Sequence, residues 1–272
     1  MPSPFFNGQT AIVTGAATGI GFGIARYLVE NGASVVVNDI NPTATAEAVG
    51  ELNSFGPGRA FPYVGDAGSV DFVYELVDFA ATLENSTLKM IVANAGLTEF
   101  GSFFEFSEES FDRLTALNLK GTFFLAQAAA RQFRQEGTAG RIVLIGSNVG
   151  NRAYPDLAAY GMSKAGIAML AQQLTLDLAP LGITVNCVAP GAVLTERTEM
   201  EEPDYAGVWS ILNPTGRVGL PADVAAAVGF LLGPGGAHIT GQQLLVDGGW
   251  SAYAASPQFV DRIREGAKKP QV

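Results

Sequence analysis

The sequence predicts a doubly wound α/β fold: one parallel sheet of about seven strands with helices on both faces. Short apolar runs alternate with helix-compatible segments along most of the chain, the order that builds a parallel sheet with right-handed crossovers. The run Val35-Val36-Val37 is continuously apolar, as suits a strand buried on both faces. The stretch Thr10 to Gly23, TAIVTGAATGIGFG, passes from strand through a glycine turn into a helix with Ile24, Ala25 and Leu28 on one face.

The elements follow in order. Thr10 to Thr14 is the first strand and about Gly19 to Asn31 the first helix, ended by Asn31-Gly32. Gly15 permits a tight turn and close backbone approach to a ligand, and Gly21 lets the helix pack against the strand. Ser34 to Asn38 is a second strand, ending at Asp39, and a helix from about Thr43 to Ser54 stops at Gly56-Pro57-Gly58. Arg59 to Val64 is the third strand. Asp66, just beyond it, suits either an adenine amino group or the cap of a helix from Val70 to Thr82. Lys89 to Ala93 is the fourth strand, and Asn94-Ala95-Gly96 follow it with side chains small enough for a cofactor to lie against backbone. A long helical segment from Ser107 to Arg134 contains Asn118, a poor interior helix residue that marks a local kink.

Arg141 to Ile145 is the fifth strand, closed by Gly146-Ser147. After a loop through Arg152 and Pro155, Tyr160 to Lys164 open an apolar helix that reaches Ala179. Ile183 to Val188 is the sixth strand. Pro190-Gly191 then lead into an irregular stretch, Ala192 to Leu220, long enough to mark a functional loop such as a lid. Pro221 to Leu232 is a helix with proline at its start, and Leu244 to Val246 the seventh strand. The tail from Ser256, ending in Lys268-Lys269-Pro270, is expected to be mobile. With no internal repeat and no linker, residues 1–272 read as one domain.

Composition narrows the function. Of 272 residues, 48% are hydrophobic and 15% charged, so the chain can bury a full core. A net charge of −10 argues against nucleic acid, whose binding needs basic patches. Cys187 is the only cysteine, which excludes an intrachain disulfide and fits a reducing cytoplasm. The single histidine, His238, excludes a multi-histidine metal site and reads as a polar residue in the turn before the last strand. No basic n-region or long apolar run marks a signal peptide or membrane span.

Three groups of residues carry chemistry. The N-terminus of the first helix presents free N–H groups and a positive dipole end, which suits a pyrophosphate. Asp39, 24 residues beyond Gly15, stands where an acidic residue accepts hydrogen bonds from an adenosine ribose, and a carboxylate there repels a 2′-phosphate. Tyr160 and Lys164 are four apart and share a helix face. A cation beside a phenol favours phenolate, which suits a general acid or base. Ser147, at a strand end, can donate a hydrogen bond to a carbonyl or alkoxide oxygen.

With these motifs in this order, the chain resembles the short-chain dehydrogenase/reductase family in its single-domain, Rossmann-type form. The resemblance rests on Thr14-Gly15-x-x-x-Gly19-x-Gly21, Asp66, Asn94-Ala95-Gly96, Asn118, Ser147, Tyr160-x-x-x-Lys164, and Pro190-Gly191 followed by Thr195, and it covers about Asn7 to Tyr253. It implies hydride transfer between a nicotinamide cofactor and a substrate carbon. Tyr160 would be the proton donor or acceptor, Lys164 would hold the nicotinamide ribose and favour the Tyr160 phenolate, and Ser147 would orient the reacting oxygen. Asn118 would hold a water that links Lys164 to solvent. The loop residues Gly15, Thr18, Gly19, Ile20 and Gly21 would bind the dinucleotide, with Asp66 and Ala67 at the adenine and Asn94 bracing the central strand beside the cofactor. Pro190 and Gly191 would also bind the cofactor, and Val193, by its backbone, and Thr195 would fix the nicotinamide amide.

Two departures from the family pattern, Ala93 before Asn94 and Gly146 before Ser147, keep the residue that carries each role. Ala17-Thr18 and Ile40-Asn41 stand where relatives that prefer NADP place a basic residue, so together with Asp39 they point to NAD(H). The stretch APGAVLTERT and the ending VDGGWSAY look most like glucose, aldose and polyol dehydrogenases, with Glu196 and Arg197 placed to bond sugar hydroxyls. Two alternatives stand beside it. A 3-oxoacyl carrier-protein reductase shares nearly every motif, but the acidic residues Glu196, Glu199, Glu201, Glu202 and Asp204, with Asp39, oppose it. A pocket formed by Phe100, Phe103, Phe104 and Trp209 would take a more apolar, steroid-like or aromatic alcohol. The resemblance also implies a homotetramer, built through the helices around Phe123 to Ala130 and Ile167 to Leu178 and the last strand.

Overall fold

The computed structural model describes residues 5–253; the tail expected to be mobile lies outside them. Seven strands form one parallel sheet: β1 (Gln9–Thr14), β2 (Ser34–Asp39), β3 (Arg59–Val64), β4 (Thr87–Ala93), β5 (Arg141–Ile145), β6 (Thr184–Pro190) and β7 (Gln243–Val246). Their order across the sheet is β3-β2-β1-β4-β5-β6-β7. The order reverses between β1 and β4, and Ala11 pairs with Val35 on one side and Met90 on the other. In such sheets a ligand crevice opens at the carboxyl ends of the strands beside this reversal.

Both faces are covered. Ala11, Val13, Val35, Val37, Met90 and Val92 point into one core with α1 (Gly19–Glu30), α2 (Pro42–Leu52) and α9 (Pro221–Leu232). Ile12, Val36, Ile91, Ile142 and Leu144 point into the other, with α3 (Val70–Ala81), α5 (Thr122–Glu136) and α6 (Ala158–Leu178). Alternate residues of each strand therefore face opposite cores, which is why the strands read as unbroken apolar runs.

Three expectations are refined. The segment from Ser107 is not one helix: α4 (Glu108–Thr115) passes through a π-helical turn, Ala116–Gly121, before α5. Asn118 lies in that turn, where its side chain bonds outside the helix. The stretch after Pro190 is not irregular throughout, because it holds α7 (Glu196–Glu201) and α8 (Tyr205–Leu212). A reciprocal cap starts α7, in which Thr195 Oγ1 accepts from Thr198 N and Thr198 Oγ1 accepts from Thr195 N. Asp66 does not cap α3. Ser69 does, accepting from Phe72 N, while the Asp66 carboxylate accepts from Gly68 N. His238 is exposed in the turn before β7, as expected.

Candidate active site at the carboxyl edge of the sheet

A cleft of about 710 Å³ opens along the carboxyl ends of β1, β2, β4, β5 and β6. Its floor at β1 is backbone. Gly15 has φ +59°, and a Cβ there would lie 2.9 Å from Ala95 Cα. A Cβ on Gly21 would run into the Gly15 carbonyl oxygen and Asn94 Nδ2. Asn94 ties this wall together: its Nδ2 donates to the carbonyls of Thr14 and Gly15, at 2.9 Å each. Thr14 Oγ1 in turn accepts from the N–H groups of Asn94 and Ala95 at 3.1 Å, a role that the motif spacing did not reveal. Asp39 ends β2 beside the cleft, where its carboxylate accepts from Ala17 N (3.3 Å) and Asn41 N (3.1 Å). A cradle of glycines, a helix N-terminus and a carboxylate one strand away fits a dinucleotide.

The reactive side chains converge from β5 and α6. Ser147 follows β5, and its Oγ accepts from Val149 N at 3.2 Å, which leaves the hydroxyl proton for an oxygen in the cleft. Tyr160 and Lys164 stand one turn apart on α6, with the Lys164 Nζ 5.7 Å from the centroid of the Tyr160 ring. Lys164 is buried, and its Nζ donates to the Ile145 carbonyl at 2.9 Å, which fixes the cation behind the ring. Asn118 is fully buried beneath them. Its Oδ1 accepts from Leu97 N (2.8 Å), and its Nδ2 donates to Leu97 O (3.0 Å) and Ser163 Oγ (3.1 Å). Ser163 Oγ donates on to the Tyr160 carbonyl at 2.7 Å. A Cβ on Gly96 would come within 3.3 Å of both Asn118 Oδ1 and Lys164 Nζ, so the bare glycine leaves the room that these two share.

Cys187 lies behind this wall on β6, and burial pushes its thiol up to about 11 against the pull of the nearby Lys164 charge. No cluster of metal-ligating side chains occurs among the described residues.

Of the expected cofactor residues, Gly15, Thr18, Gly19, Ile20, Gly21, Asp39, Asn94, Ala95, Gly96, Pro190, Gly191, Val193 and Thr195 line the cleft. Asp66 and Ala67 lie at the end of β3 and are not part of its lining. Glu196 and Arg197 line it too, but are already engaged. Glu196 Oε2 accepts from Gly19 N at 3.2 Å, and Arg197 pairs with Glu201 at 3.3 Å. Phe100 and Trp209 are in the lining, whereas Phe103 and Phe104 point to solvent. The wall beyond Ser147 also holds Tyr154, Leu157, Tyr205 and Trp250. Tyr154 stacks on Trp209, with ring centroids 6.0 Å apart, and Tyr205 leans against the same indole. Tyr205 and Trp209 are one turn apart on α8, whereas Tyr154 and Trp250 come from distant segments that no spacing in the sequence connects to them.

A family profile described as Enoyl-(Acyl carrier protein) reductase matches residues 15–251. The chain belongs to the short-chain dehydrogenase/reductase family. Elsinochrome reductase 1 of Elsinoe fawcettii is 35% identical over 89% of this chain and 94% of its own. The 2-dehydro-3-deoxy-D-gluconate 5-dehydrogenase of Escherichia coli is 34% identical over 90% of this chain and 96% of its own. Among solved structures, a short-chain type dehydrogenase/reductase from Mycobacterium ulcerans superposes with a TM-score of 0.85 at 31% identity, over 90% of each chain. Membership makes the protein an oxidoreductase of CH–OH or carbonyl substrates that uses a nicotinamide cofactor.

Proposed function

We propose that this short-chain dehydrogenase/reductase is an NAD(H)-dependent enzyme, built as one domain, that interconverts an alcohol and a carbonyl with Tyr160 as acid and base. The observation that carries the reading is one cleft shared by the glycine cradle, the Asp39 carboxylate and the set Ser147, Tyr160 and Lys164. When bound, the nicotinamide supplies or takes up the hydride. The N-terminus of α1 would hold the pyrophosphate, Asp39 the adenosine ribose, Asp66 and Ala67 the adenine, and Val193 and Thr195 the nicotinamide amide. Ser147 donates to the substrate oxygen, and the Tyr160 hydroxyl passes it a proton or takes one. Lys164 stands behind the phenol, its Nζ 5.7 Å from the ring centroid and held by the Ile145 carbonyl. The room beside Gly96, bordered by Asn118 and Lys164, suits a water that returns the proton to solvent. The preference for NAD(H) rests on Asp39, whose carboxylate would face a 2′-phosphate with like charge.

For the substrate, the sugar or polyol reading draws support from the sugar-acid dehydrogenase among the relatives. One structural observation favours the more apolar secondary alcohol: the wall of Tyr154, Trp209, Tyr205 and Phe100, beside polar residues engaged elsewhere. Glu201 and Glu202 at the same wall oppose an acidic carrier protein. A reducing compartment such as the cytoplasm is supported by the lone buried thiol of Cys187; among the described residues no helix is long and apolar enough to cross a membrane. The test is reduction of NAD+ with aldoses, polyols and aryl secondary alcohols assayed side by side, and oxidation of NADH or NADPH by a 3-oxoacyl thioester as the fourth arm. Turnover confined to the thioester with NADPH would refute both the cofactor and the substrate readings.

A further inference from the structure

We propose that Glu196 is a determinant of cofactor affinity, its carboxylate holding the pyrophosphate seat until the cofactor displaces it. The inference rests on the dinucleotide reading of the cleft. The positive end of α1 has no carboxylate of its own: Thr18, the residue before the helix, makes no side-chain cap, and the first turn contains no acidic residue. Instead Glu196 reaches across from α7, 177 positions later, and its Oε2 accepts from Gly19 N at 3.2 Å. A carboxylate and a phosphate seek the same donors at a helix N-terminus, so the two compete for this one.

The backbone that carries Glu196 is pinned. Thr198 is buried, and its Oγ1 bonds Val193 O at 3.2 Å and Thr195 O at 3.0 Å. A Cβ on Gly19 would lie 3.3 Å from Thr195 Cγ2, so α7 begins directly over the glycine loop. The Glu196 side chain is exposed and makes its contact from that fixed base. Displacement is therefore a rotation of one side chain, after which Val193 and Thr195 are already in place along the cleft wall. The cost falls on ligands that carry a pyrophosphate. They break a charge-assisted bond at a helix end and keep a carboxylate nearby, which sets the expected effect at about 5- to 20-fold in Kd.

The experiment is equilibrium binding followed by tryptophan fluorescence, since Trp209 and Trp250 both line the cleft. The ligands are NAD+, ADP-ribose and adenosine, and the proteins are wild type, Glu196→Ala, Glu196→Gln and Glu199→Gln. Glu199 is on the same short helix but does not line the cleft, and so controls for net charge. The expected result is tighter NAD+ and ADP-ribose binding in both Glu196 variants, larger for Ala, with adenosine and Glu199→Gln unchanged. Unchanged or weaker NAD+ binding in the Glu196 variants would overturn the proposal. So would adenosine tightening in parallel, which would mean that the lid had merely loosened, or an equal gain in Glu199→Gln. Failure of the wild type to bind NAD+ or ADP-ribose would instead refute the NAD(H) reading of the cleft.

Discussion

Tyr160 depends on its neighbours for its position. Lys164 stands behind its ring, and Ser163 links its backbone carbonyl to the buried Asn118. Tyr160→Phe removes one oxygen and keeps the ring that packs over Lys164. We expect kcat to fall by at least about 100-fold, the ordinary contribution of a positioned acid or base, while NAD+ binding followed by fluorescence stays within about twofold. Loss of both together would mean that the hydroxyl supports the site rather than the proton transfer. Asp39 makes a separate prediction. Asp39→Asn removes the charge and keeps one acceptor oxygen, enough for Ala17 N or Asn41 N but not for both. The ratio of kcat/KM for NAD+ over NADP+ should then fall by about 10- to 100-fold, the worth of one like-charge clash. The ratio measured for the variant beside the wild type checks it.

Among the elements, the lid stretch is the least predictable and the most anchored at its far end. Arg217 grips Asp223 with two parallel bonds, of 2.6 and 2.7 Å, and Asp223 also accepts from Leu220 N at the start of α9. The Arg217 side chain, bonded through its guanidinium, holds the Asp223 carboxyl below its ordinary range. A carboxyl whose folded value is depressed adds stability above its unfolded value, near 4, and loses it as pH falls through the folded one. The pair is partly exposed, with side-chain exposures of 45% and 32%, so solvent screening limits the contribution to about 0.5–1 kcal/mol. Asp223→Asn keeps the cap and loses the ion pair. Urea unfolding should show that deficit at pH 7, and the deficit should shrink as pH falls through the depressed folded value and the wild-type carboxyl is protonated as well.

In the whole molecule, α5 and α6 cover one face of the sheet through Leu125, Ala129, Ile167 and Ala171, yet leave Phe123, Met169 and Leu176 exposed. At the far edge, β7 exposes Leu244 and Leu245 and, among the described residues, is paired on one side only. Helices that are apolar on two faces and an open edge strand are surfaces that a second copy covers. We expect a homotetramer of two-fold symmetry, with these helices forming one contact and β7 the other. Light scattering checks it through the molar mass. Leu244→Lys together with Leu245→Lys should reduce the assembly to dimers, and a wild-type monomer would contradict the assignment.

Most of the fold was legible along the chain. The strands β3 and β5 and the helix α9 fall on the residues expected, and the seven-stranded parallel order follows from the alternation of elements, because continuous apolar runs and glycine or proline stops are local signals. The set Ser147, Tyr160 and Lys164 was legible as well, since strand-end and helical spacing are properties of nearby residues. What lay beyond reach depends on contacts between distant segments. The π turn at Asn118 exists because that side chain bonds Leu97 and Ser163, at separations of 21 and 45. The helices α7 and α8 read as irregular because their stability comes from a threonine cap and from packing on Tyr154, not from helical propensity. Likewise, nothing near Glu196 in the chain signals that its carboxylate lies on Gly19. Local sequence carries periodicity and turn chemistry, whereas which side chains share a cleft is settled when strands distant in the chain align their carboxyl ends.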